Sequence, residues 1–309
     1  MTNPKVSIIV PNYNHAQFLD QRLDTVFNQT YKNFEVILLD DASTDGSQEI
    51  LKLYKNHPKV THLILNSKNS GTPFKQWKKG ISLAQGDYIW IAESDDFCEL
   101  SFLETLIPSL TEETGLIYCQ TKDVDEKGGV LFDRVEYTSK MQPNFWLSDF
   151  EMEGAEFINK GLLVKNVIPN ASAVVFKKSL VKPSFFLNSL LDMKMCGDWF
   201  FWMQLTKNTK VKFIKQHLNY FRNHKSISRI HEDHETRKKR LLEESSIRCF
   251  SESKYGLISH EMNLLLYKKW FNLHDKFSLF SSKFYRVKQP STSRLNLLLN
   301  FIQFKLKNS

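Results

Sequence analysis

Gly86-Asp87-Tyr88-Ile89-Trp90-Ile91-Ala92-Glu93-Ser94-Asp95-Asp96 reads as a short apolar strand running straight into a cluster of acids. Residues 88–92 hold aromatic and β-branched side chains without a polar break, the pattern of a strand covered on both faces. A buried strand fixes the position of the residues just after it, so Glu93, Asp95 and Asp96 are expected at a defined strand end. The same construction occurs twice upstream. Residues 6–10 are an apolar run stopped by Pro11 and followed by Asn12-Tyr13-Asn14, and residues 34–39 end in Asp40-Asp41-Ala42-Ser43. Between these strands, Asn14 is placed to cap a helix in which Phe18, Leu19, Arg22, Leu23, Val26 and Phe27 recur at helical spacing. Thr44-Asp45-Gly46-Ser47 opens a second helix, residues 61–65 a third strand, and residues 74–84 a third helix. Strand and helix alternating in this way predict an α/β fold with a doubly wound, mostly parallel sheet and right-handed crossovers. In such sheets ligands gather at the carboxyl ends of the strands, where the three polar clusters converge.

Farther along, the βα rhythm breaks. Residues 115–119 and 172–176 look like strands, but 120–170 is long and mixed, with turns at Lys127-Gly128-Gly129 and Gln142-Pro143-Asn144. From residue 229 the chain becomes basic and helical in pattern. The 309 residues carry 42 Lys+Arg and 34 Asp+Glu, and residues 229–309 hold 16 of the bases and 8 of the acids, hence the whole excess of +8. The expected organisation is therefore one domain over 1–228, in which an alternating strand–helix half (1–114) is followed by an irregular half (115–228), with a basic helical extension over 229–309. With 41% hydrophobic and 25% charged residues, the composition is that of a globular chain. No apolar run approaches the roughly 20 residues that span a bilayer. Cys98, Cys119, Cys196 and Cys249 lie far apart, against a zinc site or disulfide framework and in keeping with a reducing cytosol. A cytoplasmic protein is expected. Its tail mixes Phe, Leu and Trp with positive charge, which suits either peripheral contact with the inner face of the membrane or a helical appendage packed on the domain.

The strand-end carboxylates suggest a chemistry. Hard divalent cations such as Mg²⁺ and Mn²⁺ bind oxygen ligands, usually one or two carboxylates together with substrate phosphates. Asp95 and Asp96 suit that role with Glu93 in support, although acids in this position also cap helices. No glycine-rich phosphate loop is present, so bound nucleotide phosphates would need a metal to neutralise them. Asp40 and Asp41 are placed to receive hydrogen bonds from a base or ribose, or to form a turn. Tyr13 is placed to stack on a base or to pack over the sheet edge.

The segments 6–14, 39–47 and 86–96, in that order, resemble the signature of glycosyltransferase family 2, inverting enzymes with the A-type glycosyltransferase fold. The likeness extends over about residues 5–228. It implies that Asp41 binds the base of a nucleotide-diphosphate sugar with Tyr13 stacked nearby. It also implies that Asp95, last member of an Asp-x-Asp motif whose first position is Glu93 here, binds the metal. Pro11 and Ser94, in the same clusters, fall with the donor. Residues 69–80 lack the Ala-Arg-Asn common in the family, so Lys75 or Lys78 is expected to supply the missing positive charge, unless both lie on a solvated helix face. The family places its general base at an acid before an aromatic helix. Here that is Asp198, with Gly197 permitting close approach of a ligand and Trp199 shaping the acceptor site; the residues alone also allow a helix-capping aspartate. The segment 220–228 resembles one that closes over the donor, from which Arg222 and His224 would reach the diphosphate or the metal. The implied reaction is transfer of a sugar to a saccharide or lipid-linked acceptor in surface polysaccharide or glycoconjugate synthesis. Two rivals remain: a nucleotidyltransferase on a related sheet, against which the absence of glycine and basic residues in 11–15 counts, and a non-catalytic protein binding through its basic tail, which carries no nucleic-acid-binding motif.

Overall fold

The alternation in the N-terminal part is realised as β1 (Val6–Asn12), α1 (Ala16–Phe27), β2 (Phe34–Asp40), α2 (Ser47–Leu53), β3 (Val60–Leu65), α3 (Pro73–Leu83) and β4 (Tyr88–Ile91). The computed structural model describes residues 3–224, 233–288 and 292–307. Next come β5 (Phe97–Cys98), α4 (Phe102–Leu106), β6 (Thr114–Val124), β7 (Val130–Asp133), α5 (Val135–Thr138), β8 (Phe150–Glu153), α6 (Gly154–Phe157), β9 (Val174–Lys177), α7 (Asn188–Leu191), α8 (Gly197–Thr206) and β10 (Lys210–Arg222). One sheet runs in the order β3-β2-β1-β4-β9-β6-β10-β5, with β7 on β6 and β8 on β10. Pairing is parallel from β3 to β4 and between β6 and β10, whereas β9 enters antiparallel to both β4 and β6. The parallel character thus belongs mainly to the N-terminal half. Every residue of β1 and β2 is buried, because helices cover both faces. Alternate side chains feed two cores: Ile9, Ile37 and Ile91 face α3 and α8, while Ile8, Val36 and Trp90 face α1 and α4. Register pairs Asn12 with Asp40, so β1 and β2 end level, and Ile9 with Ile91, so β4 stops earlier and its acidic cluster runs alongside the last residues of β1.

One local expectation is corrected. Asn14 does not cap α1. It takes a left-handed φ of 57°, and the residue preceding the helix is His15. Asparagine tolerates that conformation, so the chain turns sharply after β1. The Asn14 Oδ1 accepts from the Thr44 amide at 2.8 Å and ties the first strand-end loop to the second.

Beyond the sheet lie α9 (His234–Tyr255), α10 (His260–Asn272) and α11 (Arg294–Lys307). Asp233 caps α9 by accepting from the Thr236 amide at 2.8 Å, and Gly256 ends it at φ 66°. Leu241, Trp270, Phe271, Phe284, Leu297 and Phe301 form a separate small core. Ile247 of α9 instead belongs to the main core, so α9 joins the extension to the body of the fold. Among the described residues no helix is long and apolar enough to cross a membrane.

Candidate active site

The strand ends open into a cavity of about 400 Å³, within the usual range for small-molecule sites. Pro11, Tyr13, Asp41, Asp95, Asp96, Asp198 and His224 line it, as do His15, Glu93 and Lys194. Most of the residues expected from the sequence therefore converge on one site. Lys75, Lys78, Ser94, Trp199 and Arg222 are not part of its wall.

The paired acids have diverged in role. Asp40 is fully buried and accepts from Asn12 Nδ2 (2.9 Å), the Ser43 amide (2.9 Å) and Gln48 Nε2 (2.8 Å), so it builds the loop and faces no ligand. Asp41 reaches the cavity, yet its oxygens already accept from Asn66 (2.8 Å), Ser70 (2.8 Å to its hydroxyl) and Gln76 (2.6 Å). Its charge organises residues 66–76 around the cavity rim. Asp96 is likewise engaged: Asn170 at 2.5 Å, Ser172 at 2.6 Å and the Arg222 amide at 3.0 Å occupy its two oxygens. Burial and the neighbouring Asp95 charge push its carboxyl up, and Arg22 beneath it, 4.0 Å away, opposes that only in part.

Asp95 is the acid that stays open to the cavity. Burial works against its charge, but the imidazoles of His15 and His224 outweigh it and hold the carboxyl well below the usual range. His224 Nε2 lies 3.0 Å from Asp95 Oδ2. His15 Nδ1 lies 2.8 Å from Ser94 Oγ, and the two histidine rings meet edge to face with centroids 5.4 Å apart. One ligand atom from each of His15, Asp95 and His224 can be chosen so that all three lie within 4.8 Å of one another. Two imidazoles and a carboxylate in that space fit a divalent metal, and imidazole nitrogen suits Mn²⁺ better than Mg²⁺. Asp96 is not in the set because its lone pairs are committed to protein donors. Glu93 sits at the back of the cavity, accepts from Trp77 Nε1 at 2.9 Å, and is pushed up to about 8 by burial and the Asp95 charge.

Arg222 does not reach the cavity. Buried between the rings of Phe18 and Phe97, it donates to the backbone oxygens of Asp95 (2.8 Å) and Glu126 (2.7 Å) and to Gln21 (2.5 Å). It thereby locks the loop that carries Asp95 to β10. The later part of the expected closing segment, residues 225–228, lies outside the described residues. Lys75 is exposed and donates to Ser70 O at 2.9 Å, and Lys78 is exposed on α3. Lys194 carries the positive charge of the cavity wall instead, with its ammonium on the Gly71 carbonyl.

Asp198 stands in the first turn of α8, half-buried and facing the cavity. Asn166 Nδ2 donates to its Oδ2 at 2.9 Å and the Trp199 amide to its Oδ1 at 2.7 Å. The loop before it is held from α9: Glu243 accepts from the amides of Lys194 (2.9 Å), Met195 (3.0 Å) and Cys196 (2.8 Å). Arg248 of α9 grips the other side, donating to Leu163 O at 2.8 Å while its guanidinium lies over Trp199. Trp199 is itself buried and donates to Leu162 O at 2.9 Å, so it supports the site from within the core.

Gly197 has a different reason from the one expected. A Cβ there would lie 2.2 Å from the Phe74 ring, so the glycine lets α8 approach α3 and the cavity-lining Phe74. Overpacking of this kind costs about 1–3 kcal/mol, against a helix-propensity gain of at most about 1 kcal/mol. Gly197→Ala is therefore expected to lower the melting temperature; an unchanged or raised value would show that Phe74 can move aside freely.

His15 and Lys194 were missed in the sequence. His15 comes directly after the first strand-end cluster, and that position was a usable signal. Lys194 has no local signal, because its place depends on the loop held by Glu243.

The glycosyl transferase family 2 model matches residues 7–165. The chain is 33% identical over 128 residues to glycosyltransferase GlyG of Streptococcus pneumoniae, covering 41% of this chain and 42% of GlyG. The match thus spans less than half of that relative's length. In structure the chain is similar to S. aureus TarS 1-349 in complex with UDP-GlcNAc, with a TM-score of 0.57 at 17% identity, covering 87% of this chain and 80% of that one. It is also similar to the mannosyltransferase PcManGT from Pyrobaculum calidifontis in complex with GDP-Man and Mn²⁺, with a TM-score of 0.52 at 16% identity, covering 100% of this chain and 82% of that one. These structural likenesses establish an A-type glycosyltransferase fold. Together with the family match over half of the chain, they lead to one conclusion: this chain belongs to glycosyl transferase family 2.

Proposed function

We propose that the protein is a metal-dependent, inverting glycosyltransferase that moves a sugar from a nucleotide-diphosphate donor to an acceptor hydroxyl in surface polysaccharide or glycoconjugate synthesis. The observation that carries this is the meeting, in one cavity, of an open metal-ligand set (His15, Asp95, His224) with a separately held carboxylate, Asp198. Residues 1–114 would hold the donor, with Tyr13 at the cavity mouth beside the base, and residues 115–228 the acceptor. A divalent ion, when bound, supplies positive charge to the diphosphate leaving group. Asp198 takes the proton of the acceptor hydroxyl as its oxygen bonds to the anomeric carbon and the carbon–oxygen bond to the diphosphate breaks. Asn166 and the Trp199 amide orient that carboxylate, and Lys194 adds positive charge to the donor side of the wall. A saccharide or lipid-linked acceptor and a cytoplasmic location, beside the inner face of a membrane, belong to this reading.

The test is turnover of a panel of nucleotide sugars by the full chain with Mn²⁺ or Mg²⁺, with nucleoside diphosphate release and product anomer followed by NMR. The expected result is diphosphate release with inverted configuration and higher activity with Mn²⁺. Release of pyrophosphate when a nucleoside triphosphate and a sugar 1-phosphate are supplied in place of the nucleotide sugar would support a nucleotidyltransferase instead, and retained configuration would remove the single-displacement mechanism.

A further inference from the structure

The last helix is apolar on two opposite sides. Leu297 and Phe301 of α11 are buried in the small C-terminal core. Leu295, Leu299, Ile302 and Leu306, spaced by four, three and four residues, are exposed at 62%, 55%, 41% and 76%. At about 100° per residue, these four fall on one narrow stripe directly opposite the buried pair. Folding therefore uses one face of α11 and leaves a second aliphatic face over its full length. Arg294, Lys305 and Lys307 flank this stripe, and beyond Asp275 the chain has seven basic residues and no acidic one. The turn 276–280, which packs against α11, exposes Phe277 at 68% and Phe280 at 90%.

We propose that this outer face of α11 docks on an anionic lipid surface, lying in the plane of the interface. A helix with an apolar stripe and only basic flanking charges matches that environment in both respects: its aliphatic side chains enter the acyl boundary while lysine and arginine meet lipid phosphates. A second copy of the chain would bring the same positive charge against itself, which disfavours self-association through this face. Docking here holds the protein beside lipid-linked acceptors without a membrane span. Partitioning onto lipid is read without turnover, so it stands or falls separately from the glycosyl-transfer assignment.

The experiment is flotation of the full chain with vesicles of phosphatidylcholine alone and of phosphatidylcholine mixed with phosphatidylglycerol, at low and high salt. Binding is expected to the anionic vesicles at low salt, weakened by salt and by omission of phosphatidylglycerol. Leu299→Glu combined with Ile302→Glu should lower partitioning by about tenfold or more, and Arg294→Glu combined with Lys307→Glu by a similar factor. Melting curves of both variants, whose substitutions avoid the buried face, report that the fold is intact. Absence of binding, or equal binding by wild type and the folded stripe variant, overturns the proposal. A stripe variant that changes oligomeric state by size-exclusion chromatography but leaves lipid binding untouched overturns it in favour of contact between copies.

Discussion

Asp198→Asn is expected to lower turnover by about 10²–10⁴-fold and to leave metal-dependent nucleotide binding close to wild type. The substitution keeps the shape of the side chain and removes its basicity. One carboxylate oxygen accepts from Asn166 Nδ2 at 2.9 Å and the other from the Trp199 amide at 2.7 Å. Asparagine retains one acceptor oxygen, which can keep the contact from the Trp199 amide in the first turn of α8. The effect should therefore appear in kcat, with KM for the donor little changed, because the lost group is used only as the acceptor proton moves. Wild-type turnover in the variant would mean that the base is another group. Asp192, the nearest acid before it in the chain, is a poor substitute: it lines a different cleft with Arg286 and Glu243. Loss of nucleotide binding together with activity would instead assign Asp198 to the donor side.

Asp95→Asn should abolish the stabilisation that Mn²⁺ and a nucleoside diphosphate give together in thermal unfolding. A ligand present at 100 times its Kd stabilises the native state by about 2.7 kcal/mol, and that increment is expected to vanish in the variant and in wild type treated with chelator. The reason is charge. His15 and His224 alone would leave a metal with two neutral donors, and Asp95 is the one carboxylate of the set. Asp96 cannot stand in, since Asn170, Ser172 and the Arg222 amide hold its oxygens. Mn²⁺ binding read directly by the electron paramagnetic resonance signal of the free ion provides a measure independent of turnover. Undiminished, chelator-resistant nucleotide binding by Asp95→Asn would remove the metal from the mechanism.

The C-terminal extension is more than a carrier of charge. Glu243 and Arg248, both on α9, hold the two loops that meet at Asp198, one through three backbone amides and the other through the Leu163 carbonyl. Helix α9 thus supports the Asp198 side of the cavity at one point and the small C-terminal core at another. A protein that keeps only residues 1–228 would leave both loops without these partners.

The apolar runs of β1, β2 and β4, the helices between them and the polar cluster at each strand end were legible in the sequence. All of these depend on residue pattern within a few positions: a run of β-branched and aromatic side chains has to be buried, and the polar residues after it emerge at the sheet edge. The family resemblance rested on the same three segments. What the linear pattern could not decide was which polar group in each cluster remains available. Asp40 and Asp41, or Asp95 and Asp96, are chemically alike, and they are sorted only by donors from distant parts of the chain, such as Asn170, Ser172 and Arg222 for Asp96. The same holds for the basic residues. Lys75 and Lys78 lie in the segment where a positive charge was expected, whereas Lys194 is carried to the wall by a loop that Glu243 clamps. His15 and His224 become partners because β5, directly after Asp95 and Asp96, pairs with the end of β10 and packs on α1. Local pattern determined the sheet and its ligand-facing edge; hydrogen-bond satisfaction among buried polar groups, a property of the folded chain alone, decided which side chains are left free to act.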